Sequence, residues 1–308
     1  MSTSRFQDLT AVIPTLNEAE AIGKVLDEVI SVGVPKENIL VVDGGSTDDT
    51  IEIARSKGIR VIMQEGKGKA DAIKTASKYI KTPYTLFMDG DYTYLAHHIP
   101  ELYEKIKRGY SLVIGWRQFN PRSQPWMYRA GNKLLTSFFN LLFGTKIHDV
   151  LSGMYVIKTE ILRELMYETR GFGTESEIVA HVACTTGDVT EVPIEYRQRL
   201  GKKKLGIKHG FQILKEMIRL TWRYNPTFLI FALGALLLIP GLTLGAYVAY
   251  HYFFTGIKYY VKGLVAIILT LTGFQSLLLA ILTLYLKRME YRLTRKFIEN
   301  NIAEVSSE

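Results

Sequence analysis

Two aspartates separated by one glycine follow a short apolar stretch in the segment FMDGD. Side chains at positions i and i+2 of an extended chain point to the same side, so Asp89 and Asp91 can face one point in space, and Gly90 lets the backbone bend between them. Close carboxylates repel each other when buried, and a hard divalent cation relieves that conflict. Mg²⁺ is commonly held by one or two carboxylates together with substrate phosphates. The spacing therefore predicts a metal and phosphate site, although a solvated turn uses the same residue types.

A further acidic residue, Asp43, ends another apolar stretch in VVDGGSTDDT. The polar residues after its glycines can cap the next helix, which leaves Asp43 to hydrogen-bond a ribose or a base edge. The segment EGKGKADA is not a P-loop, because the required spacing of glycine, lysine and hydroxyl residue is absent. Lys67 or Lys69 near a phosphate and a solvated turn both fit that segment.

The elements that must position these groups alternate between strands and helices over residues 1–200. We predict strands at LTAVIP, NILVVDGG (a strand and its turn), IRVIMQ, YTLFMDGD and SLVIG, each separated from the next by a helix or a turn. This alternation predicts an α/β fold with a mostly parallel sheet. Ligands of such sheets bind at the carboxyl ends of the strands, where both acidic segments lie.

Two long uncharged segments, 226–257 and 263–286, follow this part of the chain. Each exceeds the roughly 20 residues that cross a bilayer as a helix, and two in tandem disfavour buried core helices. Only KYYVK separates them, so we predict a hairpin with both ends on one side. Lysine and arginine are in excess on the outer flanks, which predicts that both termini and the large N-terminal portion are cytoplasmic.

Apolar residues also recur at helical spacing over residues 207–222, with lysine and arginine on the other side. This pattern predicts an amphipathic helix in the membrane interface, with packing on the soluble part as the alternative. The segment LLTSFFNLLFG is a second candidate for the interface.

The composition excludes several classes of protein. The chain has 308 residues, 47% of them hydrophobic and 22% charged, which is typical of a folded protein. The single cysteine, Cys184, excludes an internal disulfide framework and a cysteine-based zinc site. The first ten residues lack the apolar core of a secretory signal.

Four segments occur in the order PTLNE, DGGSTDDT, GKGKADA and MDGD, and together they resemble the GT-A glycosyltransferases of family 2. The later segments GWRQ, RAGNKL, SGMYVI, GFGTESEI and PIEYRQRLGKKKLG resemble the polyprenyl-phosphate branch of that family, typified by dolichyl-phosphate mannose and glucose synthases. The resemblance covers about residues 8–210. It implies a Rossmann-like GT-A domain that moves one sugar from a nucleotide sugar to dolichyl or polyprenyl phosphate, with Mg²⁺ or Mn²⁺ as cofactor.

The resemblance also implies roles for the matching positions. The nucleotide sugar would be bound by Pro14, Asn17, Glu18, Asp43, Lys69, Asp89, Gly90, Asp91, Glu175, Arg197, Arg199 and Lys204. The metal would be held by Asp89 and Asp91. The acceptor phosphate would be bound by Arg117, Arg129 and Ser137. The catalytic set would be Asp91, Glu177, Arg117 and Arg129, with Glu177 facing the donor sugar and Glu175 as a second candidate. The family often has glutamine where this chain has Thr93, which leaves a third metal ligand open.

The expected organisation follows from these assignments. We expect a GT-A domain at 1–206, an interfacial helix at 207–225, a transmembrane hairpin at 226–287 with spans at about 226–254 and 263–286, and a cytoplasmic tail at 288–308. The protein would be an integral protein of the cell membrane in contact with lipid, and we expect no nucleic-acid partner. Gly234, Gly241 and Gly245 fit either pairing into a homo-oligomer or packing within one chain.

The chemistry is consistent with first principles. A lipid monophosphate has a second pKa near ~6, so it is an anionic nucleophile at neutral pH and requires no general base. The difficulty is to bring two anions together and to stabilise the leaving group, which a metal and arginines can do. Direct attack on the anomeric carbon inverts its configuration.

Several alternatives stay open. LSGMY and GFGTESEI resemble archaeal enzymes that use UDP-glucose or UDP-N-acetylglucosamine, whereas a GDP-mannose-dependent synthase is the alternative donor choice. A processive polysaccharide synthase is disfavoured because the Q-x-x-R-W signature is absent, and a soluble-acceptor transferase needs no hairpin anchor. A non-catalytic membrane subunit that binds nucleotide sugar is the alternative from another class.

Overall fold

A computed structural model describes residues 5–119, 124–165, 167, 173–201 and 207–305. In the last of these segments, side chains are described for residues 210–286, 288 and 289. The chain divides into two compact units, Met1–Leu220 and Thr221–Glu308.

The first unit is built on a seven-stranded sheet. Its strands are β1 Leu9–Thr15, β2 Ile39–Asp43, β3 Arg60–Met63, β4 Tyr84–Phe87, β5 Leu112–Phe119, β6 Tyr155–Lys158 and β7 Val189–Tyr196. Their spatial order is β3-β2-β1-β4-β6-β5-β7. Strand β6 is antiparallel to both neighbours, and the other pairs are parallel. The predicted α/β fold with a mostly parallel sheet is therefore confirmed.

The helices between residues 19 and 224 follow the predicted alternation. They are α1 Ala19–Ser31, α2 Thr50–Ser56, α3 Lys69–Ser77, α4 Ile99–Lys107, α5 Trp126–Phe143, α6 Thr159–Glu164, α7 Thr174–Thr185 and α8 Ile207–Tyr224. Two short 3₁₀ segments, Lys36–Asn38 and Ala96–His98, complete the connections. The first five strands lie where the sequence predicted strands, although β4 ends at Phe87 and β5 continues to Phe119. Strands β6 and β7 were not predicted. Strand β7 carries an exposed proline, Pro193, as an edge strand can.

The main core lies on one face of the sheet. Leu86 and Met88 of the β4 segment and Val156 of β6 contribute to it, together with the buried stripe of α1. Neighbouring residues of a strand point to opposite faces, so the buried rings of Phe87 and Tyr155 point to the other face. The predicted metal-binding residues Asp89 and Asp91 follow β4, beyond Phe87.

The second unit contains two long helices. Helix α9 spans Pro226–Tyr250, a short π-helical segment follows at His251–Thr255, and helix α10 spans Tyr260–Val305. Pro226–Thr255 and Tyr260–Leu286 are long and apolar enough to cross a membrane, with 30 and 27 residues. The positions agree with the predicted spans.

Close packing between α9 and α10 depends on glycine. A Cβ atom on Gly241 would lie 2.7 Å from the backbone nitrogen of Thr270, and one on Gly273 would lie 2.6 Å from that of Leu238. A Cβ atom on Gly245 would meet only Ala266, at 3.9 Å. Gly241 thus allows close helix packing within one chain, which is one of the two alternatives that the sequence left open. Homo-oligomerisation stays a prediction.

Helices α5 and α8 both expose apolar side chains. On α8, Ile213 and Met217 are buried, whereas Phe211 and Ile218 are 73% and 47% exposed. The predicted single apolar stripe of this helix is therefore divided between a buried side and an exposed side. On α5, Leu134 is 71% exposed. Exposed apolar surface of this kind typically marks a binding or membrane surface.

Candidate active site

The loops after β1 and β2 are joined by hydrogen bonds. The Asn17 backbone N–H donates to Ser46 Oγ at 2.8 Å, and Asn17 Oδ1 accepts the Thr47 backbone N–H at 2.8 Å. The Glu18 backbone N–H donates to Thr50 Oγ1 at 2.8 Å. Asn17 has a φ of 51°, a left-handed conformation that asparagine tolerates better than most residues. Hydrogen bonds therefore hold the two predicted nucleotide-binding segments, after β1 and after β2, against each other.

Asp43 is fully buried between these loops. Its carboxylate accepts hydrogen bonds from the backbone of Gly45 at 2.9 Å and of Ser46 at 2.7 Å. It also accepts from Ser46 Oγ at 2.6 Å and from Thr15 Oγ1 at 2.9 Å. Four bonds fill the roughly four lone-pair positions of a carboxylate. In this arrangement Asp43 shapes the loop, and its direct contact with a nucleotide stays a prediction.

Asp91 is almost fully buried, with 9% of its surface exposed. Burial, and next the negative charge of Asp89, raise the pKa of Asp91. This repulsion is what the i, i+2 spacing leads us to expect. Thr93 donates to Asp91 from its hydroxyl at 2.5 Å and from its backbone at 3.1 Å. Thr93 therefore orients Asp91, which is a different role from that of a third metal ligand.

Lys69 connects two carboxylates from distant parts of the chain. Its Nζ lies 2.5 Å from Asp89 Oδ1 and 2.5 Å from Glu175 Oε1. Lys69 is the first residue of α3 and follows Gly68, whose φ of 90° favours glycine. Burial alone would lower the pKa of Lys69, but the charges of Asp89 and Glu175 raise it above its ordinary value. The amine is therefore a cation, and it joins β4, α3 and α7.

Arg199 makes a second bridge on the other side of the two aspartates. Its NH1 lies 3.1 Å from Asp91 Oδ2, and its NH2 pairs with Glu18. The backbone follows the same path, because the Leu200 N–H donates to the Asp91 carbonyl at 3.2 Å. The segment after β7 therefore lies along the end of β4. The predicted role of Lys204 falls outside the described residues.

Arg197 has a different set of partners from Arg199. It donates from both terminal nitrogens to Glu28, each at 2.8 Å, and its guanidinium carbon lies 3.2 Å from the centre of the Tyr92 ring. Tyr92 has a φ of 68°, which is costly for a bulky residue and is supported here by this stacking. These contacts give Arg197 a structural role beside the site, and its contact with phosphate stays a prediction.

The predicted acceptor-binding residues lie on β5 and α5. Arg117 is 9% exposed and forms a bidentate ion pair with Asp149, at 2.6 Å and 2.8 Å. Asp149 also accepts a hydrogen bond from Asn132 of α5 at 2.9 Å. Helix α5 carries Arg129, whose buried Nε makes no hydrogen bond with any residue in the described segments, and Ser137, which is exposed. Asp149 thus links β5, through Arg117, to α5, through Asn132.

Glu175 and Glu177 occupy the first turn of α7. The structure brings Glu175 to Lys69, whereas Glu177 is fully buried, and its charge is the second cause, after burial, that raises the pKa of Glu216 on α8. A Cβ atom on Gly173 would overlap the Glu216 carboxyl group. Helix α8 therefore packs directly against the start of α7. The predicted role of Glu177 stays a prediction.

The sequence did not single out Asp149 or Gly153. A buried arginine requires a carboxylate partner, and this requirement is the signal that points to Asp149. The backbone of Gly153 lies directly against Asp89, because a Cβ atom there would overlap the Asp89 carboxylate. The Gly153 N–H donates to the Tyr94 hydroxyl at 2.6 Å, which fixes this approach.

The charges at this edge of the sheet fit a divalent cation. Four carboxylates, Glu18, Asp89, Asp91 and Glu175, share the two cations Lys69 and Arg199. In the described part of the chain, no cluster of three or more His, Cys, Asp or Glu side chains could hold a metal. The donor set is thus two carboxylates with phosphate oxygens still to be supplied, which is the pattern typical of Mg²⁺.

Comparison with known proteins gives the family. The chain belongs to Glycosyl transferase family 2, which matches residues 10–166. Glycosyltransferase AglJ of Haloferax volcanii is 33% identical over 276 residues, which cover 88% of this chain and 90% of that protein. Dolichyl-phosphate hexose transferase of the same organism is 34% identical over 206 residues, which cover 67% of this chain and 90% of that protein.

A solved structure shows the same fold. Glucosyl-3-phosphoglycerate synthase from Mycobacterium tuberculosis, in complex with Mn²⁺, UDP-glucose and phosphoglyceric acid, matches with a TM-score of 0.59 and 21% identity. The match covers 69% of this chain and 79% of that one. The protein is therefore a glycosyltransferase with a GT-A fold, as the sequence motifs predicted.

We predict that Gly153→Ala weakens the binding of UDP in the presence of Mn²⁺ by about 10-fold or more. The added Cβ displaces the Asp89 carboxylate, and overpacking of this kind typically costs about 1–3 kcal/mol. Isothermal titration calorimetry measures the effect. Gly131→Ala is the control, because a Cβ atom there meets nothing within 4 Å. Unchanged binding by Gly153→Ala would show that Asp89 does not contribute to this site.

Proposed function

We propose that this glycosyltransferase transfers one hexose from a nucleotide sugar to dolichyl or another polyprenyl phosphate, with inversion and with Mg²⁺ or Mn²⁺ as cofactor. The observation that carries the proposal is that the protein has two features together. One is a carboxylate cluster at the end of β4, and the other is α5, a helix that carries Arg129 and an exposed apolar side. The first arrangement suits a nucleoside diphosphate, and the second suits a lipid that bears a phosphate.

On the donor side, Asp89 and Asp91 would hold the metal. The bound metal would neutralise charge on the diphosphate leaving group. Lys69 and Arg199 already lie beside these carboxylates, so both cations are within the region where a diphosphate would bind. Charge-assisted hydrogen bonds from such groups orient and stabilise a phosphate.

On the acceptor side, an oxygen of the lipid phosphate forms a bond to the anomeric carbon while the bond from that carbon to the diphosphate oxygen breaks. The nucleophile is already an anion at neutral pH, so no proton must be removed. Arg129 and Arg117 would counter the repulsion between the two phosphate groups. The buried Nε of Arg129 has no hydrogen-bond partner among the residues that the structure describes, which supports this role for Arg129.

A membrane location is consistent with the acceptor. The exposed sides of α5 and α8 combine apolar residues with Lys133, Lys215 and Arg219. Basic amphipathic helices of this kind bind at the interface of anionic membranes. The name of the Haloferax volcanii relative, a dolichyl-phosphate hexose transferase, also supports a polyprenyl acceptor. We propose a catalytic domain at 1–206, an interfacial helix at 207–225, a membrane hairpin at 226–287 and a cytoplasmic tail at 288–308.

We expect the purified protein to transfer labelled sugar to dolichyl phosphate from one of three donors, UDP-glucose, UDP-N-acetylglucosamine or GDP-mannose, with the UDP sugars favoured. Chelation with EDTA should abolish transfer. Asp91→Ala should reduce the rate by about 100-fold or more, because a metal contributes several kcal/mol of charge stabilisation.

Asp27→Ala is the matched control for this experiment. The Asp27 side chain is 64% exposed, and its ion pair with Lys57 lies on the surface, so the transfer rate should not change. Transfer that persists in EDTA would contradict the role of the metal. Nucleotide-sugar binding without transfer to any lipid phosphate would favour the non-catalytic subunit.

We predict that the connection between α9 and α10 is extracytoplasmic. In a Cys184→Ser background, Thr255→Cys should react with a membrane-impermeant maleimide on intact cells. Ser56→Cys, at the exposed end of α2, should react only after permeabilisation. Labelling is read by mass spectrometry or gel shift, and the reverse pattern would contradict the proposed orientation.

A further inference from the structure

Tyr155 is a buried tyrosine whose hydroxyl has no hydrogen-bond partner in the described part of the chain. It begins β6, only 2% of its surface is exposed, and its Oη makes no hydrogen bond with any residue that the structure describes. Most buried polar groups in proteins have a partner, and one that lacks a partner calls for an explanation. An apolar phenylalanine would fill the same space without this cost.

The hydroxyl lies on the face of the sheet that carries the cluster around Lys69. Tyr155 pairs with Phe87 across the two strands, and their rings stack with centroids 5.1 Å apart. Asp89 is two residues after Phe87, just beyond the end of β4. Burial, and next the charge of Glu175, raise the pKa of Tyr155, and Asp89 adds to the effect. The hydroxyl is therefore protonated, and the charges of both carboxylates act on it.

The order of the strands places Tyr155 between the proposed donor side and the proposed acceptor side of the site. Strand β4 leads to Asp89 and Asp91, which bind the donor diphosphate in the proposed function, and β5 carries Arg117, on the acceptor side. Strand β6 lies between β4 and β5. During transfer, the sugar must lie between the departing diphosphate and the attacking phosphate. The strand beneath that place is β6, and Tyr155 is its first residue.

We propose that the hydroxyl of Tyr155 binds a hydroxyl group of the donor's sugar. This inference rests on the proposed function and deepens it by assigning a sugar-binding residue. A tyrosine hydroxyl can both donate and accept, so it matches a sugar hydroxyl in either direction. The substrate then supplies the partner that the hydroxyl lacks among the described residues. A site that hydrogen-bonds a substrate hydroxyl also discriminates against analogues that lack it.

Tyr155→Phe is the substitution that separates this role from a structural one. It removes only the oxygen, so the variant should have a melting temperature equal to or above that of the wild type. Tyr94→Phe is the matched comparison, because the buried Tyr94 hydroxyl accepts a hydrogen bond from Gly153 N–H at 2.6 Å. Its loss leaves a buried donor unpaired and should lower the melting temperature.

The test is calorimetric titration of the full-length protein with Mn²⁺ present. The ligands are UDP-glucose, UDP-N-acetylglucosamine and GDP-mannose, each compared with its free nucleoside diphosphate. We expect Tyr155→Phe to bind the preferred nucleotide sugar about 3- to 10-fold more weakly, which is typical for one neutral hydrogen bond. The affinity for the free diphosphate should stay unchanged, because that ligand has no sugar beyond the diphosphate.

Two results would overturn the inference while leaving the proposed function intact. One is an unchanged affinity for nucleotide sugar in Tyr155→Phe, and the other is an equal loss for the free diphosphate, which would indicate a general distortion of the site. In both cases the wild-type protein still transfers sugar to lipid phosphate, which shows that the proposed function holds. If the wild-type protein binds none of the nucleotide sugars, the proposed function fails and this inference fails with it.

Discussion

The ion pairs of Lys69 with Asp89 and Glu175 are the interaction on which the rest of the site depends. They join the end of β4, the start of α3 and the start of α7, which are remote in sequence. The buried Glu175 and the partly buried Asp89 require a compensating charge, and one lysine supplies it to both. A metal with a diphosphate would compete for the same groups. Binding of a metal and a diphosphate must therefore rearrange these ion pairs.

Much of this could be predicted from the sequence, because local patterns encode it. The first five strands, the paired aspartates and the two apolar spans all follow from periodicity and spacing within short segments. The ion pair of Glu175 with Lys69 could not be predicted in this way. It depends on how α7 packs beside α3, and that is a tertiary property.

Dependence on tertiary packing also explains why some residues and contacts of the site could not be predicted from the sequence. Asp149 is the partner of Arg117 across 32 positions, and nothing in its neighbouring residues marks it. Asp43 was correctly placed at a strand end, but its hydrogen bonds to Thr15 and to its own loop depend on the meeting of two loops. The Tyr155 hydroxyl has no partner among the described residues, and this could be found only from the tertiary structure.

The most direct test of this account is a calorimetric titration of Mn²⁺ into the protein, with and without saturating UDP. Because Lys69 holds Asp89 and Arg199 holds Asp91, the account predicts that Mn²⁺ alone binds weakly. UDP should increase the affinity for Mn²⁺ by about 10-fold or more, and Mn²⁺ should increase the affinity for UDP by the same factor. Tight binding of Mn²⁺ that UDP leaves unchanged would contradict a site that the donor diphosphate completes.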